Sequence, residues 1–154
     1  MRVAVGGTFQ PLHDGHKMLL RTAYGLSKNV DIGLTSDDMA RGMRTRPVKD
    51  YAERERALRE WVKKEIGVEP NIFPITDPYG PTLNEDYDCI VVSAETFPAA
   101  IKINEMRAAR GNKPITIYRI ECVLAEDGRP ISATRVVKGE IDEHGKLVHK
   151  MESQ

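Results

Sequence analysis

Cysteine, aromatic residues and net charge are all in short supply in this chain. Of 154 residues, two are cysteine, one is tryptophan and three are phenylalanine, while Lys plus Arg matches Asp plus Glu at 23 each. So few cysteines exclude a disulfide-stapled scaffold. Cys89 and Cys122 both sit in apolar stretches expected to be strand, where cysteine acts as a small buried hydrophobe. Balanced charge leaves no global field to draw the chain to nucleic acid or an anionic membrane, so any anion site must be local. No basic face with interleaved aromatics speaks for a nucleic-acid partner. No apolar run reaches the roughly 18 to 20 residues of a membrane span. The chain enters a strand-like run at once, with no charged and apolar leader. The expectation is a cytoplasmic protein with no membrane partner.

What is present is a regular alternation. With 40% hydrophobic residues the chain has enough apolar material for one ordinary core, so residues 1–154 are expected to form a single domain. A polar tail, expected to be mobile, begins at about residue 143. Apolar runs of strand length fall near residues 2–6, 30–35, 71–76, 89–93 and 114–120, with helical periodicity near 15–27, 51–66 and 95–110. The second helix opens at Asp50, with Glu53 three residues on, and buries Leu58, Trp61, Val62 and Ile66 before Gly67 stops it. This order predicts an α/β, Rossmann-like fold. Its doubly wound five-stranded parallel sheet carries helices on both faces, and ligands bind outside the carboxyl ends of the strands.

Polar segments fall at those ends. The first runs from Gly6 to His16 and joins a strand to a helix. Its glycines let backbone approach a ligand, the helix N-terminus offers N–H groups and a positive dipole end, and His13 and His16 share one turn. A phosphate site is expected there. A zinc site is the competing reading of the histidine pair, but no Cys or third His lies nearby to complete a shell. Further polar loops follow at 35–38, 76–82 and 93–96. Near the C-terminus a turn at 126–129 leads into Pro130-Ile131-Ser132-Ala133-Thr134-Arg135, where Ser132 caps a helix start.

Taken together, Gly7-Thr8-Phe9, His13-Asp14-Gly15-His16 and Ile131-Ser132-Ala133-Thr134-Arg135 resemble the nucleotidyltransferase superfamily marked by T/H-x-G-H and I-S-S-T-x-R-like loops. The patterns at Asp77 to Thr82, Val92 to Thr96 and Asn104 to Arg107 are similar to the archaeal and eukaryotic type of phosphopantetheine adenylyltransferase. That resemblance covers roughly residues 2 to 142 and departs from the pattern at Ala133, where serine is usual. It implies transfer of the adenylyl group of ATP to 4′-phosphopantetheine, giving dephospho-coenzyme A and pyrophosphate, with Mg²⁺ accompanying ATP.

The same resemblance implies roles for individual residues. His16 would donate to the α-phosphate, His13 would hold the β-phosphate side, and Thr8 would bridge the acceptor and α-phosphates. Lys49, at the end of the basic stretch from Arg41, would reach the transferred phosphate. Gly7, Thr8, Phe9, Asn104, Arg107, Ser132, Ala133, Thr134 and Arg135 would contact ATP, and Thr8, Lys49, Asp77, Tyr79 and Thr82 the acceptor. Packing is the competing reading for Tyr79, a helix cap or surface pair for Asn104 and Arg107, and a plain N-cap for Ser132. Arg54 and Arg56 are read as decorating the second helix. A monomer is implied. Other readings are an FMN or NMN adenylyltransferase, a glycerol-3-phosphate cytidylyltransferase, or a nucleotide-binding regulator without catalysis.

Overall fold

The sheet is built from both sides, and the first strand shows it. In the computed structural model, which describes residues 1–42 and 48–148, β1 (Arg2–Gly7) sends Val3 and Val5 into one buried cluster and Ala4 into another. Alternate side chains of a strand point to opposite faces, so both faces are covered. After β1 come α1 (Asp14–Leu26), β2 (Asn29–Thr35), α2 (Asp37–Gly42), α3 (Tyr51–Glu65) and β3 (Asn71–Ile75). A 3₁₀ turn (Gly80–Leu83), β4 (Cys89–Val92), α4 (Phe97–Ala109), β5 (Thr116–Arg119) and α5 (Ala133–Val137) complete the order.

All five strands are parallel and lie in the order β3-β2-β1-β4-β5. Right-handed crossovers place α1 and α3 on one face and α4 on the other, because the winding direction reverses between β1 and β4. That reversal opens a crevice at the carboxyl ends of those two strands. The larger cluster packs Leu19, Leu20 and Ala23 of α1 and Leu58 and Val62 of α3 against Val3, Val5, Val30, Ile32 and Leu34. Each such side chain removed from water contributes about 1.5–3 kcal/mol, so this face holds the site's scaffold rigid.

Several details differ from the sequence expectation. The segment after β2 is helical, as α2, because Ser36 accepts from the Met39 and Ala40 amides and starts a turn. Asp50 does stand at the start of α3, but its carboxylate pairs with Arg41 at 2.7 Å, and Asp37 takes the Tyr51 amide instead. Cys89 is buried in β4, whereas Cys122 is exposed beyond the end of β5. The tail expected to be mobile from 143 is held as far as Val148: Ile141 bridges to Leu147, and Ala125, Ile131 and Ile141 form a small third cluster. Among the described residues no helix is long and apolar enough to cross a membrane.

A carboxylate lies inside the sheet layer. Asp31 of β2 is buried, in register with Ala4, and accepts from Arg2 Nε and Nη2, Asn71 Nδ2 and the Tyr87 hydroxyl. Burial alone would raise its pKa, yet the hydrogen bonds from Asn71, Tyr87 and Arg2 outweigh it and hold the carboxyl below its ordinary value of 3.8. A carboxyl depressed in the folded state adds stability that is complete above its unfolded value and lost as pH falls through the folded one. The urea midpoint of the wild-type chain is therefore expected to drop as pH falls below 3.8, and to drop less steeply in Asp31→Asn. Equal acid sensitivity of the two proteins would contradict this role.

Candidate active site

At the start of α1 two imidazoles cap the same helix turn for each other. His13 is the N-cap residue in extended conformation, and its Nδ1 accepts from the amides of Gly15 at 3.0 Å and His16 at 3.3 Å. His16 Nδ1 in turn accepts from the His13 amide at 3.3 Å, the reciprocal pattern of a capping box. An imidazole nitrogen accepts only when it carries no proton, so in both rings the proton sits on Nε2, which becomes a donor. The rings stack with centroids 3.7 Å apart and planes 16° from parallel, bringing the two donors side by side.

This arrangement corrects the expectation that α1 offers free amides to an anion. Gly15 and His16 amides go to His13, and the Asp14 amide donates to Glu143 O at 2.9 Å. The side-chain donors at this helix start are imidazole Nε2–H groups, backed by the helix dipole. Gly15 is required by the same packing: a Cβ there would lie 2.8 Å from His13 Cε1 and 3.0 Å from its Nδ1, closer than a Cβ contact allows. Beneath the pair, Phe9 is buried at a positive φ of 52°, a conformation costly for a large side chain, with its ring 5.3 Å from that of His16.

Arg54 organises the rest of the loop, a role missed when it was read as surface decoration. It is 1% exposed; Nη1 donates to Thr8 O and Thr35 Oγ1, Nη2 to Thr35 O and Asp37 Oδ1, and Nε to Lys49 O. Its position four residues before Leu58 and eight before Val62, on the buried stripe of α3, was the available signal. Thr35 Oγ1 accepts from Arg54 and donates its own proton to Thr8 Oγ1 at 3.0 Å. Thr8 thus keeps its hydroxyl proton for donation.

Thr8 and His16 line a cavity of about 200 Å³ at the β1/β4 crevice, together with Gly6 and Gly7. Its other walls are Met39, Ile75, Pro78, Ile90, Ala99 and Ile103, with Ser93, Glu95 and Thr96 as polar members. Lys49 lines a different groove with Gln10, Pro11, Arg56 and Glu143, although its amide is tied to the same loop through Gln10 Oε1 at 2.6 Å. Of the basic stretch, residues 43–47, including Arg44 and Arg46, lie outside the described part, and Arg41 pairs with Asp50 and Asp37.

Other residues assigned to ligands carry structural tasks. Asn104 does need a partner on its apolar stripe and finds it in the backbone of Ile115, donating to its carbonyl and accepting from its amide at 2.8 Å each. Arg107 is fully buried and donates to the carbonyls of Lys113, Thr82 and Glu85. Asp77 Oδ1 accepts from the amides of Tyr79 and Gly80, Tyr79 packs beside Ala4, Tyr87 and Ile103, and the Thr82 hydroxyl donates to Tyr79 O. These residues shape the chain between β3 and β4, which lends Ile75 and Pro78 to the cavity walls, while Tyr79 and Thr82 line an adjoining space with Gly6, Ile90 and Ile103.

The second motif is ordered around Arg135. Ser132 Oγ accepts from the Arg135 amide as a plain N-cap, with Ala133 and Thr134 opening α5. The Arg135 guanidinium reaches Asp127 at 2.5 Å, Glu140 at 2.9 Å and Pro130 O at 3.1 Å. It holds the Asp127 carboxyl down to about 2. A phosphate would share this arginine with two carboxylates.

If the His13 ring must fold over Gly15, Gly15→Ala should leave the thermal midpoint nearly unchanged while lowering kcat/KM about 10- to 100-fold, since small misplacements of aligned donors are costly. Unchanged kinetics in a folded variant would show that ring placement is not required.

Known proteins agree with this architecture. Residues 4–139 match the cytidylyltransferase-like family. Phosphopantetheine adenylyltransferase of Archaeoglobus fulgidus is 47% identical over 149 residues, covering 96% of this chain and 100% of that protein. Its counterpart from Methanosarcina mazei is 50% identical over 151 residues, 95% and 96% of the two chains. Among solved structures, an Archaeoglobus fulgidus protein of unknown function superimposes with a TM-score of 0.76 at 45% identity, covering 79% of this chain and 90% of that one. A lipopolysaccharide core biosynthesis protein of Thermoplasma volcanium shares the fold at 20% identity, with a TM-score of 0.62. The chain belongs to the phosphopantetheine adenylyltransferase family, within the cytidylyltransferase-like fold.

Proposed function

We propose that this chain transfers the adenylyl group of ATP to 4′-phosphopantetheine, forming dephospho-coenzyme A and pyrophosphate in the penultimate step of coenzyme A synthesis. The observation that carries the reading is the use of both Nδ1 lone pairs in capping α1. With those lone pairs occupied, His13 and His16 do not act as bases at Nδ1 and serve as hydrogen-bond donors through Nε2. Adenylyl transfer to a phosphate monoester asks for that and no more. The acceptor oxygen is already anionic and attacks the α-phosphorus in line, while the bond to the bridging oxygen breaks and its electron pair leaves with pyrophosphate.

In this reading His16 donates to the α-phosphate as it gathers charge, His13 supports the β-phosphate side, and the Thr8 hydroxyl donates to the α- and acceptor phosphates. Lys49 lies one groove away and supplies positive field from the other side of the loop. The cavity beside His16 favours pantetheine over a flavin: its walls are largely aliphatic, and among the described residues no Phe, Tyr or Trp lines it to stack on a flat ring. Magnesium neutralises triphosphate charge when it arrives with ATP. Among the described residues no group of three or more His, Cys, Asp or Glu could hold a metal ion.

Pyrophosphate release with MgATP and 4′-phosphopantetheine, and not with FMN, NMN, or glycerol 3-phosphate plus MgCTP, is the expected outcome. Release with another pair would replace the acceptor assignment, and silence with every pair would favour a binding protein. His16→Ala should slow turnover about 10²-fold or more with little change in folding, the usual effect of losing one charge-stabilising donor.

A further inference from the structure

The segment carrying the second motif is too small to place itself. Its helix α5 has five residues, its two β-bridges are isolated, and its buried cluster consists of Ala125, Ile131 and Ile141. Pieces of that size do not hold their position without contacts elsewhere. One anchor is its upstream end, where the Ile120 amide continues the sheet by donating to Val92 O. Glu121 and Cys122 are exposed directly after it.

The other anchor is the turn of residues 142–145. This turn is internally braced: Asp142 Oδ1 accepts from the amides of His144 and Lys146, and the Asp142 amide donates to Lys146 O. On one side Gly145, at φ +83°, lies so close that a Cβ would stand 2.8 Å from both Ala125 Cα and Ile131 Cδ1, and Ile131 directly precedes Ser132. On the other side Glu143 O accepts the Asp14 amide at 2.9 Å, and His144 Nδ1 lies 2.9 Å from Asp14 Oδ1. Lys17 adds a cation 3.9 Å from the same carboxylate oxygen. Asp14 lies with Gly15 between the two histidine caps, so the turn grips the helix start that carries them.

We propose that the turn 142–145 is a clasp that sets the Ser132–Arg135 loop against the His13–His16 pair, with His144 and Asp14 as positioning residues for the nucleotide. The inference rests on the nucleotide reading of those two loops. It explains a polar surface pair between residues 130 apart, and it explains why an Asp lies inside the histidine motif. The His144 side chain is 60% exposed, so the effect of losing the pair is modest and is read as affinity.

The test is MgATP binding by calorimetry on the full chain, with steady-state kinetics alongside. His144→Ala and Asp14→Ala should each weaken MgATP binding about two- to fivefold, the double variant should be no weaker than the worse single, and His144→Asn should bind like wild type. For His144→Ala the KM for ATP should rise in step, while kcat stays within about a factor of two. Unchanged affinity in both single variants, or losses that simply add in the double, would overturn the clasp. Failure of the wild-type chain to bind MgATP would overturn the nucleotide reading itself, and the clasp with it.

Discussion

Everything at this site depends on one reciprocal hydrogen-bonding pattern, in which His13 and His16 use their Nδ1 atoms to cap α1. A helix start must satisfy its first amides, usually with Ser, Thr, Asp or Asn. Here imidazoles do it, and in doing so they set their own tautomers and leave Nε2–H groups as donors beside one another. The cap and the anion site are therefore one device. Gly15 follows as a steric requirement, because only a residue without Cβ lets the His13 ring lie over the first turn.

The fold supports this device from two directions. From below, Arg54 ties the carbonyls of Thr8, Thr35 and Lys49 into a single buried node, so the ends of β1 and β2 and the entry to α3 cannot shift independently. Removing a fully buried guanidinium would take a donor from each of those carbonyls, a loss that typically costs about 3 kcal/mol or more. From the side, the C-terminal segment closes on Asp14 and carries the second loop with it. The apolar cavity between these supports opens where the winding of the sheet reverses, as expected for a parallel α/β sheet.

The histidine loop and the strand-helix alternation were legible because each has a local signature: period-2 and period-3.6 hydrophobicity, and a Gly/His cluster between them. Polar residues whose partners are distant were not. Arg54, Asn104 and Arg107 all interrupt apolar stripes, but a sequence does not say whether such a residue faces a ligand or a backbone carbonyl; here each meets backbone. Asp77 and Thr82 both hold the turn after β3, a task the sequence could not separate from ligand contact because polar turn chemistry and polar site chemistry use the same residue types. The order of the C-terminal segment was equally hidden, since the Gly145 packing and the Asp14–His144 pair join residues that no local pattern connects.

The tautomers of the paired rings are the most direct thing to measure. A long-range ¹H–¹⁵N correlation spectrum of the imidazole side chains at neutral pH, assigned with His13→Gln and His16→Gln, reports which ring nitrogen carries the proton. Both His13 and His16 are expected in the Nε2–H form. An Nδ1–H form in either ring would contradict this, because that nitrogen could then neither accept the capping amides nor leave Nε2 as the donor to phosphate.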